Sequence, residues 1–274
     1  MIKLLALDID DTLTNARVTV PEENLLAIKQ AEAAGVTVTL ATGRGFLGSS
    51  SIWKALNIRG PVINYGGALV HNAPGGEILR ATSVPPELVR ELFALAKDLK
   101  VHVHLYQGDR VIFEHDNPYA ARYCNALGLP HTRDPQAGAK LWQNVPKVLF
   151  ITEEKRAEEL IPQLAARYEG TLKVSGSVRG YVEFNMPNAH KGAALAWLAG
   201  ELGLMQSEVA AMGDNLLDLE MLEWAGLSAC VAGGHPKAMA AASVAAPPCA
   251  ENAVAWFIRN YVLANRQASA ATIS

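Results

Sequence analysis

The sequence predicts an α/β protein. A parallel-sheet domain is assembled from both ends of the chain, and an α+β domain is inserted between them. Three observations carry this reading. Short apolar runs of strand length alternate with helical stretches over residues 2–64, the rhythm of a parallel sheet covered on both faces. The rhythm breaks near residue 82, where a hairpin pattern mixes with helices. It returns from Ala189 onward. A length of 274 residues leaves room for one or two domains.

Taken in order, residues 2–7 are an apolar run ended by acidic and turn residues, a first strand. Residues 21–34 form a helix with Leu25, Leu26, Ile28 and Ala31 on one side and Gly35 to stop it. Residues 36–40 are short and β-branched, a second strand. A helix is expected after Gly43, and residues 61–64 are a third strand, parallel to the others. In the inserted region, residues 87–99 read as a helix behind Pro85-Pro86, where proline is tolerated. Residues 101–106 and 110–114 flank Gln107-Gly-Asp109 as a hairpin. A helix over 118–126, a turn-rich stretch at 134–138, a strand at 147–152, a helix at 154–168 and strands at 171–175 and 180–184 complete it. The α/β part then resumes with a helix (190–202), a strand (209–212), a helix (216–223), a strand (228–231) and a last helix (252–262). The polar tail from Asn265 is expected to fray. The expected boundaries are 1–81 plus 188–274 for the α/β domain and 82–187 for the insertion.

Composition narrows the class of function. Half the residues are hydrophobic and 19% are charged, which fits a folded globular chain. The formal net charge of −3 gives no pull toward nucleic acid or an anionic membrane. Cys124, Cys230 and Cys249 are scattered and make neither a disulfide framework nor a metal pair, so a reducing, cytoplasmic compartment is expected. The apolar start of the chain meets Asp8 too early for a signal peptide, and no uninterrupted apolar run reaches the ~18 residues of a membrane span.

Ligands of open α/β sheets bind outside the carboxyl ends of the strands. Four polar clusters fall there or at a helix start: Asp8-Ile-Asp10-Asp11-Thr12, Thr42-Gly43-Arg44, Lys191, and Gly213-Asp214-Asn215-Leu216-Leu217-Asp218. Alone, each has a plain explanation as a turn, a helix cap or a solvated lysine. Their shared edge points to chemistry. Asp8, Asp10 and Asp214 would repel one another unless a cation joins them, and oxygen donors of this kind suit Mg²⁺. Thr42 and Gly43 can offer a hydroxyl and an N–H to an anion, and Lys191 a point charge.

These residues resemble the four motifs of the haloacid dehalogenase (HAD) superfamily: Asp8-Ile-Asp-Asp-Thr-Leu13, Thr42-Gly-Arg44, Lys191-Gly192 and Gly213-Asp214-x-x-x-Asp218. The large insertion between the second and third motifs resembles that of Cof-type phosphatases. The resemblance implies a Rossmann-like parallel-sheet core with an α+β cap that sets substrate specificity. It implies a Mg²⁺-dependent phosphatase acting on a small phosphorylated metabolite, with sugar phosphates first. Asp8 would be the nucleophile, carrying an aspartyl-phosphate, and Asp10 the general acid and base. Thr42, Gly43, Arg44 and Lys191 would bind the phosphoryl group. Asp8, Asp214 and the Asp10 carbonyl would hold Mg²⁺, with Asp218 and Asn215 behind them.

Three positions depart from the family pattern. Asp11 stands where glycine is usual, and aspartate tolerates a left-handed turn better than most residues. Leu217 replaces an asparagine that contacts the phosphate site, and Gly66-Gly67-Ala68 replaces Asn-Gly-Ala. These losses motivate two alternatives, a phosphate-binding or regulatory protein with weakened turnover and a phosphomutase. A signalling receiver also gathers acids, a threonine and a lysine around Mg²⁺, but Asp10 and the inserted domain speak against it. In the insertion, His102 and His104 share one strand face, with His115 across the hairpin. They are read as a half-polar cap surface, since no carboxylate or cysteine completes a metal set. Gly233-Gly234 is read as a loop, and Trp53, Trp197, Trp224 and Trp256 as packing residues.

Overall fold

The computed structural model describes residues 1–14, 19–176 and 179–264. The tail expected to fray lies outside them. Contacts divide the chain into one unit of Met1–Leu79 with His190–Ser274 and another of Arg80–Ala189.

The first unit is built on five parallel strands in the order Val244–Ala246, Leu227–Val231, Val209–Gly213, Leu4–Leu7 and Thr37–Leu40. Alternation sends Leu5 and Leu7 to one face and Leu4 and Ala6 to the other. On the first face they meet Ala27 and Ile28 of the helix Glu22–Ala33 and Phe257 of Ala253–Phe257. On the second they meet Leu195 and Leu198 of the helix Lys191–Glu201. All four residues of Leu4–Leu7 are buried, as a central strand covered on both sides requires. The four tryptophans pack against these two cores. Parallel pairing puts the ends of Leu4–Leu7, Thr37–Leu40 and Val209–Gly213 at one edge, with Leu7 beside both Met212 and Leu40.

Three expectations need correction here. The strand Gly60–Asn64 is not a full member of the parallel sheet. It touches that sheet through one bridge, Ala41 to Ile63, and otherwise pairs antiparallel with Leu69–Ala73, which leads to Glu77–Ala81. Tyr65, Gly66 and Gly67 have φ of 50°, 63° and 102°, so the chain reverses at once and the strand pairs with its successor. The helix after Gly43 starts late, as a 3₁₀ turn Leu47–Ser49 followed by Ser50–Ala55. A helix Pro236–Ala241 and an edge strand Val244–Ala246 were not foreseen; both are too short to display a period.

The second unit has six strands in the order Lys173–Ser175, Tyr181–Asn185, Val148–Ile151, His102–Gln107, Arg110–Phe113 and His131–Arg133. Only the last pair is parallel. The helix Pro86–Leu99 buries Val89, Leu92, Phe93 and Ala96, an i, i+3, i+4, i+7 stripe, against Phe150, Val182 and Phe184, joined by Leu160 and Leu164 of Glu154–Arg167. Lys100 ends the first of these helices in the left-handed conformation, φ 57°.

The opposite face of this sheet carries His102, His104 and Tyr106, and it is not the half-polar surface expected. His104 is fully buried and His102 is 7% exposed. Asn117 donates to His102 Nδ1 at 2.8 Å, the two imidazoles bond at 3.0 Å, and Tyr106 contacts Tyr123 through their hydroxyls. The helix Pro118–Leu127 supplies Tyr123 and so roofs the chain of side chains. His115 stays outside it, 4.0 Å from Glu114.

Burial disfavours the imidazolium and lowers His102 to about 4 and His104 well below its ordinary value of 6.5. An unfolded chain titrates these groups near 6.5, so below that pH it takes up protons that the folded chain refuses. Stability therefore falls as pH drops from 6.5 toward 4, each histidine contributing up to about 1.4 kcal/mol per pH unit. Trp142 is the tryptophan of this unit, so its fluorescence in urea titrations reads the transition. His102→Asn should flatten the slope between pH 6.5 and 4.5; an unchanged slope would assign it to other groups.

Candidate active site

Asp8 follows the buried first strand, and its N–H donates to the Met212 carbonyl at 3.0 Å. That pins the start of the acidic loop to the neighbouring strand. Asp11 adopts φ 59°, the left-handed turn that a glycine would occupy freely. The turn brings Thr12 back so that its Oγ1 donates to Asp214 Oδ1 at 2.9 Å. The sequence places Thr12 in the first polar cluster but assigns it no role; this hydrogen bond gives it one in holding Asp214.

Lys191 opens the helix Lys191–Glu201, capped by His190, whose Nδ1 accepts from the Ala193 N–H at 3.2 Å. Its ammonium is 1% exposed and lies 2.6 Å from Asp8 Oδ1 and 2.5 Å from Asp218 Oδ1. The approach depends on Gly67. A Cβ there would sit 2.3 Å from the His190 carbonyl, so only glycine lets this helix start come so close. Asp218 spends its other oxygen on the N–H groups of Asp214 and Asn215, both at 3.0 Å, which fixes the loop after Val209–Gly213. Asn215 itself caps that loop, accepting from the Leu216 N–H at 2.7 Å. Gly233 and Gly234 lie in a turn pressed on the same loop, where the His235 N–H donates to the Asp214 carbonyl at 2.7 Å.

Thr42 is buried, and its Oγ1 accepts from the Arg44 N–H at 3.1 Å. Gly43 is exposed. Its N–H has no hydrogen bond among the described residues and is open to an anion. The Arg44 guanidinium grips both oxygens of Asp10, Nε to Oδ2 at 2.9 Å, and also reaches the Gly48 carbonyl. Its charge is thus committed to Asp10, an arrangement no local sequence pattern announces.

Asp8, Asp214 and Asp218 offer oxygens within 4.8 Å of one another, and among the described residues they form the group that could hold a metal. Burial pushes Asp8 up to about 8, against the pull of Lys191, with Asp218 and Asp214 adding to the rise. Burial also lifts Asp214 to about 6, with Asp218 and Asp11 reinforcing it against the Thr12 hydrogen bond. The neighbouring carboxylates hold Lys191 above its ordinary value, although burial opposes them. Three carboxylates, two of them buried and Asp214 half-buried, against one ammonium leave the site short of positive charge. Oxygen-only donors with that deficit fit a hard divalent cation.

The family model of haloacid dehalogenase-like hydrolases matches residues 5–258. YxeH of Bacillus subtilis (strain 168), which bears a phosphatase name, is 32% identical over 96% of this chain and 100% of its own. The pyridoxal phosphate phosphatase of Escherichia coli (strain K12) is 24% identical over 95% of this chain and 99% of its own. The crystal structure of a Thermotoga maritima protein superposes with a TM-score of 0.85 at 26% identity, covering 94% of this chain and 97% of that one. With the match running through both halves of the sheet and the insertion between them, the chain belongs to the haloacid dehalogenase-like hydrolases, in the Cof-type branch of phosphoric monoester hydrolases.

Proposed function

We propose that the chain hydrolyses a small phosphate monoester, with Mg²⁺ bound, through an aspartyl-phosphate on Asp8. The observation that carries the reading is the meeting of Asp8, Lys191 and Asp214 at one sheet edge with Asp10 two residues on. An Asp8 oxygen attacks phosphorus, and the ester P–O bond breaks as the new O–P bond forms. Asp10 gives a proton to the departing alcohol oxygen, then takes one from the water that attacks the intermediate. That second step frees phosphate and restores Asp8. Lys191 keeps Asp8 oriented by its 2.6 Å hydrogen bond, and Thr42 and the Gly43 N–H support the phosphoryl oxygens. The Arg44 guanidinium holds the Asp10 carboxyl in place by both of its oxygens.

Asp8, Asp214 and the Asp10 carbonyl would hold the metal. When bound, Mg²⁺ screens the repulsion between these carboxylates and the phosphate and stabilises charge at phosphorus. Three free, scattered cysteines suit a reducing, cytoplasmic setting. No described helix is long and apolar enough to cross a membrane. Sugar phosphates are the substrate class implied by the family resemblance; the Escherichia coli relative is named for a different small ester.

The test is turnover of p-nitrophenyl phosphate with Mg²⁺ and with chelator, using Asp8→Asn as blank. No turnover above the blank sinks the catalytic reading and leaves phosphate binding without hydrolysis. Asp10→Asn should lose about 10²–10⁴ in turnover of an alkyl phosphate, whose poor leaving group needs the proton. Unchanged steady-state turnover would contradict the acid–base role of Asp10.

A further inference from the structure

The two positions where family amides are missing, 66 and 217, are distant in sequence and meet in space. A Cβ on Gly66 would lie 4.0 Å from Leu217 Cδ2, and one on Gly43 would lie 3.5 Å from Leu217 Cδ1. Both glycines are tied to Thr42: Gly43 follows it, and the Gly66 N–H donates to the Thr42 carbonyl at 2.9 Å. Leu217 therefore lays its methyls beside the phosphoryl-binding turn. It remains 58% exposed, and Leu216 next to it is 45% exposed. Two adjacent leucines open to solvent beside a polar site are not explained by packing in this unit.

The glycine is not forced by the backbone. Gly66 has φ 63° and ψ 23°, a left-handed conformation that asparagine adopts more readily than other side chains. A Cβ there meets nothing closer than the Leu217 methyl. The Leu217 methyl lies in ordinary van der Waals reach of that position, so a side chain at 66 would run beside apolar surface. Gly66 and Leu217 together give this edge a methyl surface in exchange for two amides of the family pattern.

We propose that this exchange sets the substrate class. The rim of the phosphoryl site presents methyls where the family pattern has amides. The chain then favours phosphate monoesters whose alcohol is apolar beside the ester oxygen over polyhydroxylated ones such as sugar phosphates. A hydroxyl laid on Leu217 loses water and finds no partner, whereas an aromatic or alkyl group gains contact. The inference rests on the phosphatase reading above.

Benzyl phosphate and glucose 6-phosphate are both esters of primary alcohols, so the ratio of their kcat/KM values reads the rim rather than the leaving group. The natural chain should favour benzyl phosphate by about 10-fold or more. Leu217→Asn should cut that ratio by about 5- to 10-fold, while Leu217→Met, which keeps the apolar surface, should leave it within about 2-fold. A natural preference for glucose 6-phosphate, or a ratio unmoved by Leu217→Asn, overturns the apolar rim. If p-nitrophenyl phosphate itself is not turned over above the Asp8→Asn blank, the phosphatase reading has failed and the rim proposal falls with it.

Discussion

Asp8→Asn is expected to abolish turnover, by about 10⁴-fold or more, while leaving the protein as stable as the natural chain or more so. The two effects have one cause. Asp8 is buried beside Asp214 and Asp218, and its carboxyl is pushed up to about 8 chiefly by that burial. Its charged form is therefore disfavoured by the fold, and the charge that the proposed nucleophile needs is held at a cost to stability. Asparagine keeps an oxygen for the Lys191 ammonium, and Lys191 keeps its second partner, Asp218. Counting Asp8, Asp214, Asp218 and Lys191 in their ionised forms, the substitution moves the cluster from −2 to −1. Thermal melts of both proteins without Mg²⁺ check the stability, and phosphate release with Mg²⁺ checks the turnover. A clear drop in Tm for Asp8→Asn would mean that the Asp8 charge anchors Lys191. Residual turnover within 10²-fold of the natural chain would mean that Asp8 is not the nucleophile.

The sheet edge that carries the candidate site is legible in the sequence because strand ends are marked by simple signals. A run such as Leu4–Leu7 stops where Asp8 begins, and parallel pairing does the rest. What escaped was set by partners distant in sequence. Thr12 matters because the left-handed Asp11 turn delivers its hydroxyl to Asp214. Arg44 was read as a phosphate ligand, yet its fork closes on the Asp10 carboxylate. The departure of Gly60–Asn64 from the parallel sheet was written in Gly66-Gly67, two glycines between apolar runs, a hairpin signal read only as an altered motif. His102 and His104 looked like surface because alternation along a strand does not say whether a helix covers the polar face. Pro118–Leu127 does cover it, through Tyr123.

Lys191→Met should cost about 3–5 kcal/mol of stability near pH 8 and remove activity. Methionine matches the length and fits the buried slot, so the loss reports charge and not shape. Lys191 is 1% exposed and hydrogen-bonds to Asp8 and Asp218; without it two buried carboxylates face each other with no counter-charge. The fold has one way to relieve this, which is to take up a proton. Asp8 is raised even with the lysine present, so in the variant it should rise further. A carboxyl whose folded pKa lies above its unfolded value of 3.8 binds protons preferentially in the folded state, so stability is gained as pH falls through the folded pKa and lost as pH rises through it. The deficit of Lys191→Met relative to the natural chain should therefore shrink as pH falls from about 9.5 to about 7, the window in which Asp8 of the variant already holds a proton that Asp8 of the natural chain is still taking up, and millimolar Mg²⁺ should restore part of it at pH 8 by replacing the missing positive charge. Urea titrations followed by Trp197, Trp224 and Trp256 fluorescence read this unit. A deficit that is small at pH 8, or that does not shrink as pH falls through this window, would show that the lysine is not what makes the burial of these carboxylates tolerable.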